Sequence, residues 1–399
     1  MEQKKRLRSG FTTGTCGAAA AMAAARALLG KEREETVSLM TPGGREAVFD
    51  VLWEQENRDV WGESCAVRKD AGDDPDVTNG TLVYACVSFA EEVEKKEGEQ
   101  AFSFVYRNQE EEPELFLAGG KGVGRVRKKG LKCPVGYPAV NPVPQQMIFD
   151  AVRSVCREFD CRLPLYITIS IPEGEKLALK TFNPRLGIEG GISVLGTTGI
   201  VNPMSEEALL ETIRLEIRVQ AVGNSRLLAV APGNYGEAFL REELGLSMDA
   251  FVRCSNFIGN TFQMLKEEGI KEVLFAGHLG KLIKVAGGVM NTHSKYGDRR
   301  MEILSDCGRE ALGDEGWEKE LKDRILSMNT TDEAADFLAK EGILSSVMAV
   351  VTGRIQAVLE RKFQIRTEVI VFSGSAGILG MTKGAREFAR RLKQVKRER

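Results

Sequence analysis

Net charge is nearly absent, with 55 Lys and Arg against 57 Asp and Glu. The chain therefore lacks the overall positive field of a nucleic-acid binder, and an anionic ligand has to be met by local basic clusters. No stretch is apolar and long enough to span a membrane. The basic start, Met1 to Arg8, runs into a Thr/Gly turn and an alanine-rich helix, and no secretory signal is read there. Eight cysteines are scattered, and the close pair Cys156 and Cys161 has no second pair to complete a zinc site. Reduced thiols in a cytoplasmic protein are the expectation. There is no Ser-His-Asp or Cys-His nucleophile arrangement, no Walker A spacing, no full G-x-G-x-x-G and no EF-hand loop. Internal repeats and low-complexity linkers are missing as well.

A length of 399 residues suits two domains. Residues 1–200 are expected to form an α+β domain with a mixed sheet, and residues 201–399 a Rossmann-like parallel α/β domain. In the first, Thr12 or Thr13 can cap a helix that continues through Ala18 to Ala25 and stops at Gly30. Strand-like runs follow at Thr36–Met40, Ala47–Trp53, Ser64–Arg68, Thr81–Phe89, Phe102–Tyr106 and Glu114–Leu117, with Leu165–Ile171 later and solvated acidic turns at Glu91–Glu99 and Glu110–Glu114. Pro142 and Pro144 start a helix with apolar residues at Met147, Ile148, Ala151, Val152 and Val155. Beyond Ser205 the pattern changes to strand, Gly loop, helix. It recurs at Leu227–Ala231 with Pro232–Gly236, at Val273–Ala276 with Gly277–Gly280, and at Val369–Phe372 with Ser373–Gly377, around a charged helical stretch from about Met301 to Phe363.

Residues 181–204 are the most distinctive. Gly187, Gly190, Gly191, Gly196 and Gly199 bracket one short apolar strand, Ile192 to Leu195, with Asn183, Arg185, Glu189, Thr197 and Thr198 among them, and this reads as a binding surface. The segment closely resembles the signature of the cobalt-precorrin-5B C1-methyltransferases of anaerobic cobalamin biosynthesis. Four further segments resemble the same family: Gly10 to Cys16, Lys69 to Thr78, Gly119 to Val126, and Gly277 to Gly288 running on to Asn291-Thr-His293, with a fainter echo at Phe372 to Gly377.

The resemblance implies methyl transfer from S-adenosylmethionine to carbon 1 of cobalt-precorrin-5B, giving cobalt-precorrin-6A. The cobalt belongs to the substrate and no protein metal site is expected. Neighbouring enzymes of the pathway are candidate partners, but nucleic acid and membrane are not. Two other readings stand beside it: a tetrapyrrole carrier without chemistry, and a phosphoryl-transfer enzyme using Gly119 to Gly124 as a phosphate cradle.

Candidate contacts follow from residue chemistry. Lys121 and Arg125, in a glycine-rich basic loop, suit the carboxylates of a tetrapyrrole. Thr12, Thr13 and Thr15, at a helix start, can bind an anion or simply cap, and Asn183, Arg185, Thr197 and Thr198 extend the same surface. Gly233, Asn234 and Gly236 are the first candidates for the donor, with Gly277 and Gly374 on the other two Gly loops; a plain structural turn explains each as well. His278, between glycines at a strand end, is the acid/base candidate, and Asp73 a second, with an Asx turn as its alternative. Lys281 and Lys284 can share a face with His278 and meet carboxylates, or be solvated. His293 can be structural.

Overall fold

A computed structural model describes residues 7–53, 62–93, 100–105, 112–222, 226–246, 250–374 and 376–395. The end of the run predicted to Tyr106, most of the two acidic turns, and Ser375 lie outside the described residues. The chain divides into two compact units, Met1–Glu206 and Glu207–Arg399. No helix among the described residues is long and apolar enough to cross a membrane.

The first unit contains, in chain order, β1 (Gly10–Phe11), α1 (Thr13–Gly30), β2 (Thr36–Met40), β3 (Glu46–Trp53), β4 (Glu63–Arg68), β5 (Leu82–Phe89), β6 (Phe102–Phe104), β7 (Leu115–Gly119), β8 (Gly122–Val123), β9 (Arg125–Val126), α2 (Pro142–Glu158), β10 (Leu165–Ser170), α3 (Gly174–Ala178), β11 (Ile188–Glu189), β12 (Gly191–Ile192) and β13 (Ile200–Val201). Its main sheet has the order β2-β3-β4-β5-β10-β7-β6. All pairs are antiparallel except β10 with β7, so the sheet is mixed, as expected. Alternation turns Val83, Ala85 and Val87 of β5 and Ile167 and Ile169 of β10 inward, against α1 and α2.

Helix α1 forms because Thr12 caps it, its hydroxyl accepting from Thr15 N, and because alanine sacrifices no side-chain freedom. It is buried from Thr13 to Ala25 apart from Met22. It ends at Gly30, as expected, and Lys31, the cap one residue later, takes the left-handed conformation (φ 60°). Glycine is needed at 30 for packing, since a Cβ there would sit 2.8 Å from the Phe159 ring. In α2, Pro142 occupies the first turn, where no N–H partner is lost, and Ile148, Val152 and Val155 form the buried stripe. Fully burying each such side chain contributes roughly 1.5–3 kcal/mol.

The second unit contains α4 (Glu206–Ala221), β14 (Leu227–Ala231), α5 (Gly233–Glu242), β15 (Phe251–Arg253), α6 (Ile258–Glu267), β16 (Glu272–His278), α7 (Leu279–Ala286), α8 (Arg300–Gly316), α9 (Lys319–Leu326), α10 (Thr331–Lys340), α11 (Leu344–Phe363), β17 (Arg366–Ser373), β18 (Gly377–Met381) and α12 (Ala385–Val395). The sheet order is β15-β14-β16-β17-β18, with the first four strands parallel. Both faces are covered. Val230, Val273, Phe275, Val369 and Val371 pack on one side with α6, α7, α8 and α11, and Ala229, Leu274, Ile370 and Phe372 on the other with α5 and α12. Burial on both faces explains why these strands read as unbroken apolar runs.

One expectation fails here. The third Gly loop does not lead into a helix: β17 ends at Ser373, and β18, starting at Gly377, returns antiparallel to it. Ser373 Oγ accepts from Ala376 N, and Gly377 has a positive φ of 65° where the chain returns.

Candidate functional site

Four sequence-distant segments of the first unit are joined backbone to backbone. β1 pairs with β13, Gly14 N donates to Leu195 O (3.0 Å), and Phe11 N donates to Asp70 O (2.7 Å). β8 lies parallel to β12, and β9 antiparallel to β11. The stretches 10–16, 69–78, 119–126 and 187–201 thereby form one body. The expected strand Ile192 to Leu195 shrinks to β12, because Val194 bridges Val140 and the Leu195 carbonyl turns to Gly14.

Glycine in this body mostly serves close packing. A Cβ on Gly122 would lie 1.8 Å from Ile171 O, and one on Gly191 2.1 Å from Gly122 O. Gly190 is different, with nothing within 4 Å of its Cβ position. The polar residues divide in the same way. Thr12 caps α1, and buried Thr15 donates to Gly199 O (2.7 Å), while Thr13 is buried. Buried Asn183 is held in its turn by Ser193 Oγ and Thr181 Oγ1, both at 2.9 Å, and Arg185 beside it is half-buried. Thr197 and Thr198 are exposed, as is Lys121. Arg125 is half-buried and donates to Gly136 O (3.3 Å).

The acidic loop is occupied internally. Asp73 accepts from Arg8 N (2.7 Å), and the Arg8 guanidinium grips Asp70, whose carboxyl is held below its ordinary pKa by that hydrogen bond. Asp74 accepts from Met204 N (2.9 Å), and Asp76 pairs with buried Lys69. Among the described residues no group of three or more His, Cys, Asp or Glu could hold a metal ion.

In the second unit, parallel strands bring the Ala231, Arg253, His278 and Ser373 ends to the same sheet edge. His278 caps α7. Its Nδ1 accepts from Gly280 N (3.1 Å), which puts the proton of the neutral ring on Nε2, 3.2 Å from Asp332 Oδ1. That approach is close but off the hydrogen-bond line, and the solvent-shielded Asp332 Oδ1 has no hydrogen-bond partner. Tyr235 and Phe372 flank the ring at centroid distances of 6.1 and 5.9 Å. Replacing His278 by alanine should lower stability by about 1 kcal/mol through the lost cap, read as a shift of the urea midpoint. An unchanged midpoint would show that the cap does not matter to stability.

Gly236 and Gly277 are packing glycines; their Cβ positions lie 2.7 Å from Ala231 Cβ and 2.2 Å from Leu282 Cδ1. Gly233 (φ 75°) is bordered only by Lys281, Asn234 is exposed, and Gly374 is exposed just past β17. Lys281 and Lys284 do not share a role. Lys284 is buried and donates to Gly297 O (2.9 Å) and Thr292 O (3.4 Å), pinning the loop after α7. His293 caps a short turn, accepting from Lys295 N (3.1 Å). Sequence reading missed Asp332, which reaches His278 from a helix 54 residues on and carries no local signal, and Arg8, which looks like one more charge in a basic terminus.

A CbiD sequence profile matches residues 1–203, and the profile of the CbiD C-terminal domain matches residues 291–383. The chain belongs to the CbiD family. The resemblance read from the motifs is to this family. Among curated relatives, the cobalt-precorrin-5B C(1)-methyltransferase of Ruminiclostridium cellulolyticum is 42% identical over 374 residues, covering 92% of this chain and 90% of that protein. The protein of the same name from Thermoanaerobacter sp. is 43% identical over 343 residues, covering 86% of each. A solved CbiD structure, the cobalamin biosynthesis protein from Archaeoglobus fulgidus, is 29% identical with a TM-score of 0.36, covering 70% of this chain and 80% of that one.

Proposed function

We propose that this CbiD-family protein is a cobalt-precorrin-5B C(1)-methyltransferase that takes its methyl group from S-adenosylmethionine and forms cobalt-precorrin-6A. The observation that carries this is the similarity to relatives of that name along 92% of the chain. The donor supplies an electrophilic methyl group and the tetrapyrrole the attacking carbon, so the protein needs no nucleophile of its own. Holding reactants in near-attack geometry can supply roughly 7–11 kcal/mol of barrier reduction.

In this reading residues 1–200 serve the tetrapyrrole and residues 201–399 the donor. Lys121 and Arg125 meet peripheral carboxylates, with Arg185, Thr197 and Thr198 around them and Thr12, Thr13, Thr15 and Asn183 supporting the loop. The second unit acts as a Rossmann-like domain, with the donor at Gly233, Asn234 and Gly236 and the ends at Gly277 and Gly374 nearby. What supports a donor there is the parallel order of the strands and the positive-φ Gly233 turn at the end of β14, with the Lys281 ammonium beside it. His278 and Asp73 act as positioning groups in this proposal, since their polar atoms already engage Gly280, Asp332 and Arg8. No disulfide joins the eight cysteines, which suits a reducing cytoplasm.

The deciding experiment is calorimetric binding of S-adenosylhomocysteine together with single-turnover methylation of cobalt-precorrin-5B. A carrier or a phosphoryl-transfer enzyme would do neither. Changing Lys121 and Arg125 together to alanine should raise the KM for the tetrapyrrole on the order of tenfold and leave S-adenosylhomocysteine affinity unaltered. An unchanged KM would place the basic loop outside the site.

A further inference from the structure

Among the described residues, the two buried lysines show where their hydrogen bonds go. Lys69 donates to Asp76 and Thr78, and Lys284 to two loop carbonyls. Lys281, half-buried in the first turns of α7, has no hydrogen-bond or ion-pair partner among the described residues. Its Nζ lies 2.9 Å from where a Cβ on Gly233 would be, beside the bare backbone of that turn. Burial lowers its pKa, and the one neighbouring ionisable group acting against this is the buried thiol Cys254, itself pushed up to about 12 and so uncharged. The ammonium is partly solvated and stands beside the bare Gly233 backbone, where an incoming anion can meet it without displacing a protein partner. Pro232 also provides no side-chain cap to the α5 backbone at the same spot.

We infer that Lys281 is a specificity-determining residue of the donor site, its ammonium over Gly233 binding the α-carboxylate of the amino-acid portion of S-adenosylmethionine. This rests on the reading of the Gly233 loop as the donor site. The ammonium completes its hydrogen bonds on the carboxylate, and the donor is held by its amino-acid end while its nucleoside meets the open backbone of the loop.

The test compares S-adenosylhomocysteine with its decarboxylated analogue, which keeps the nucleoside, thioether and amine. The unaltered protein should bind S-adenosylhomocysteine roughly 10- to 100-fold more tightly, the range expected for a charge-assisted hydrogen bond. Lys281→Met should lose that gap by weakening S-adenosylhomocysteine alone, and Lys281→Arg should retain part of it, with thermal melting matched across the three. A gap that persists in Lys281→Met overturns the inference. So does equal weakening of both ligands, which would mean lost packing rather than lost charge, or a raised tetrapyrrole KM with unchanged S-adenosylhomocysteine affinity, which would assign Lys281 to the substrate. Failure of the unaltered protein to bind S-adenosylhomocysteine overturns the donor-site reading and this inference with it.

Discussion

Gly122→Ala should destabilise the first unit by about 3 kcal/mol or more, while Gly190→Ala, at the residue just before β12 of the same strand pairing, should cost only about 1 kcal/mol. Both residues have φ of 76°, so the strain of placing an L side chain in the left-handed region is common to the two. They differ in space. A Cβ on Gly122 meets Ile171 O at 1.8 Å, whereas nothing lies within 4 Å of a Cβ on Gly190. The Gly122 carbonyl is in turn 2.0 and 2.1 Å from Cβ positions on Gly174 and Gly191, so three backbones meet with no side chain between them. Backbone cannot rotate away as a side chain can, and relief requires moving β8 away from the Ile171–Gly174 turn. Urea denaturation of the two variants measures the difference; equal midpoints would mean that the crowding relaxes at no cost.

Lys69→Met should cost about 3 kcal/mol, again by urea denaturation. That is the lower end of the range for breaking a buried ion pair, because the Asp76 side chain keeps 21% of its exposure. The Lys69 side chain is 4% exposed, and its ammonium is fixed by Asp76 and by Thr78 Oγ1 at 2.5 Å. Burial works to raise the Asp76 pKa, but attraction to Lys69 and the hydrogen bonds from Lys69 and Thr78 outweigh it and leave the carboxyl below its ordinary 3.8. For a carboxyl depressed on folding, the stabilisation is complete above the unfolded value and is lost as pH falls through the folded one. The unaltered protein should therefore lose this contribution below about pH 4, and Asp76→Asn should show a flatter acid limb. A parallel acid limb in Asp76→Asn would remove Asp76 as its source.

Local chemistry was legible in the sequence. The Thr12 cap, the alanine helix, the proline start of α2 and the strand–loop–helix order at β14 and β16 each follow from residues a few positions apart. What depended on distant partners was not. Glycine is compatible with both backbone packing and ligand approach, and only the neighbours of Gly122, Gly191, Gly236 and Gly277 assign those four to packing. Ser373 to Gly377 carries the composition of a ligand loop and of a hairpin turn, and the antiparallel return of β18 decides it. Lys281 and Lys284, three positions apart, look alike in sequence, yet one finds two carbonyls and the other none. His278 was placed at a strand end correctly, but its engagement by Gly280 and Asp332 depends on an Asp far along the chain.

The joining of β1 to β13 also governs when this unit can come into being. Thr15 reaches Gly199 across 184 residues, and Gly10 pairs with Val201. At ribosomal rates of about 5–20 residues per second, the N-terminal strand waits roughly 10–40 s for its partner to be synthesised. During that interval the alanine helix can form and the sheet can begin to assemble, but β1 cannot dock against β13. Such a non-local closure has to offset its loop entropy before it gains any contact, which places it late in folding. A nascent chain cut short before residue 200 would carry β1 with its β13 partner missing, a state that invites chaperone attention rather than activity.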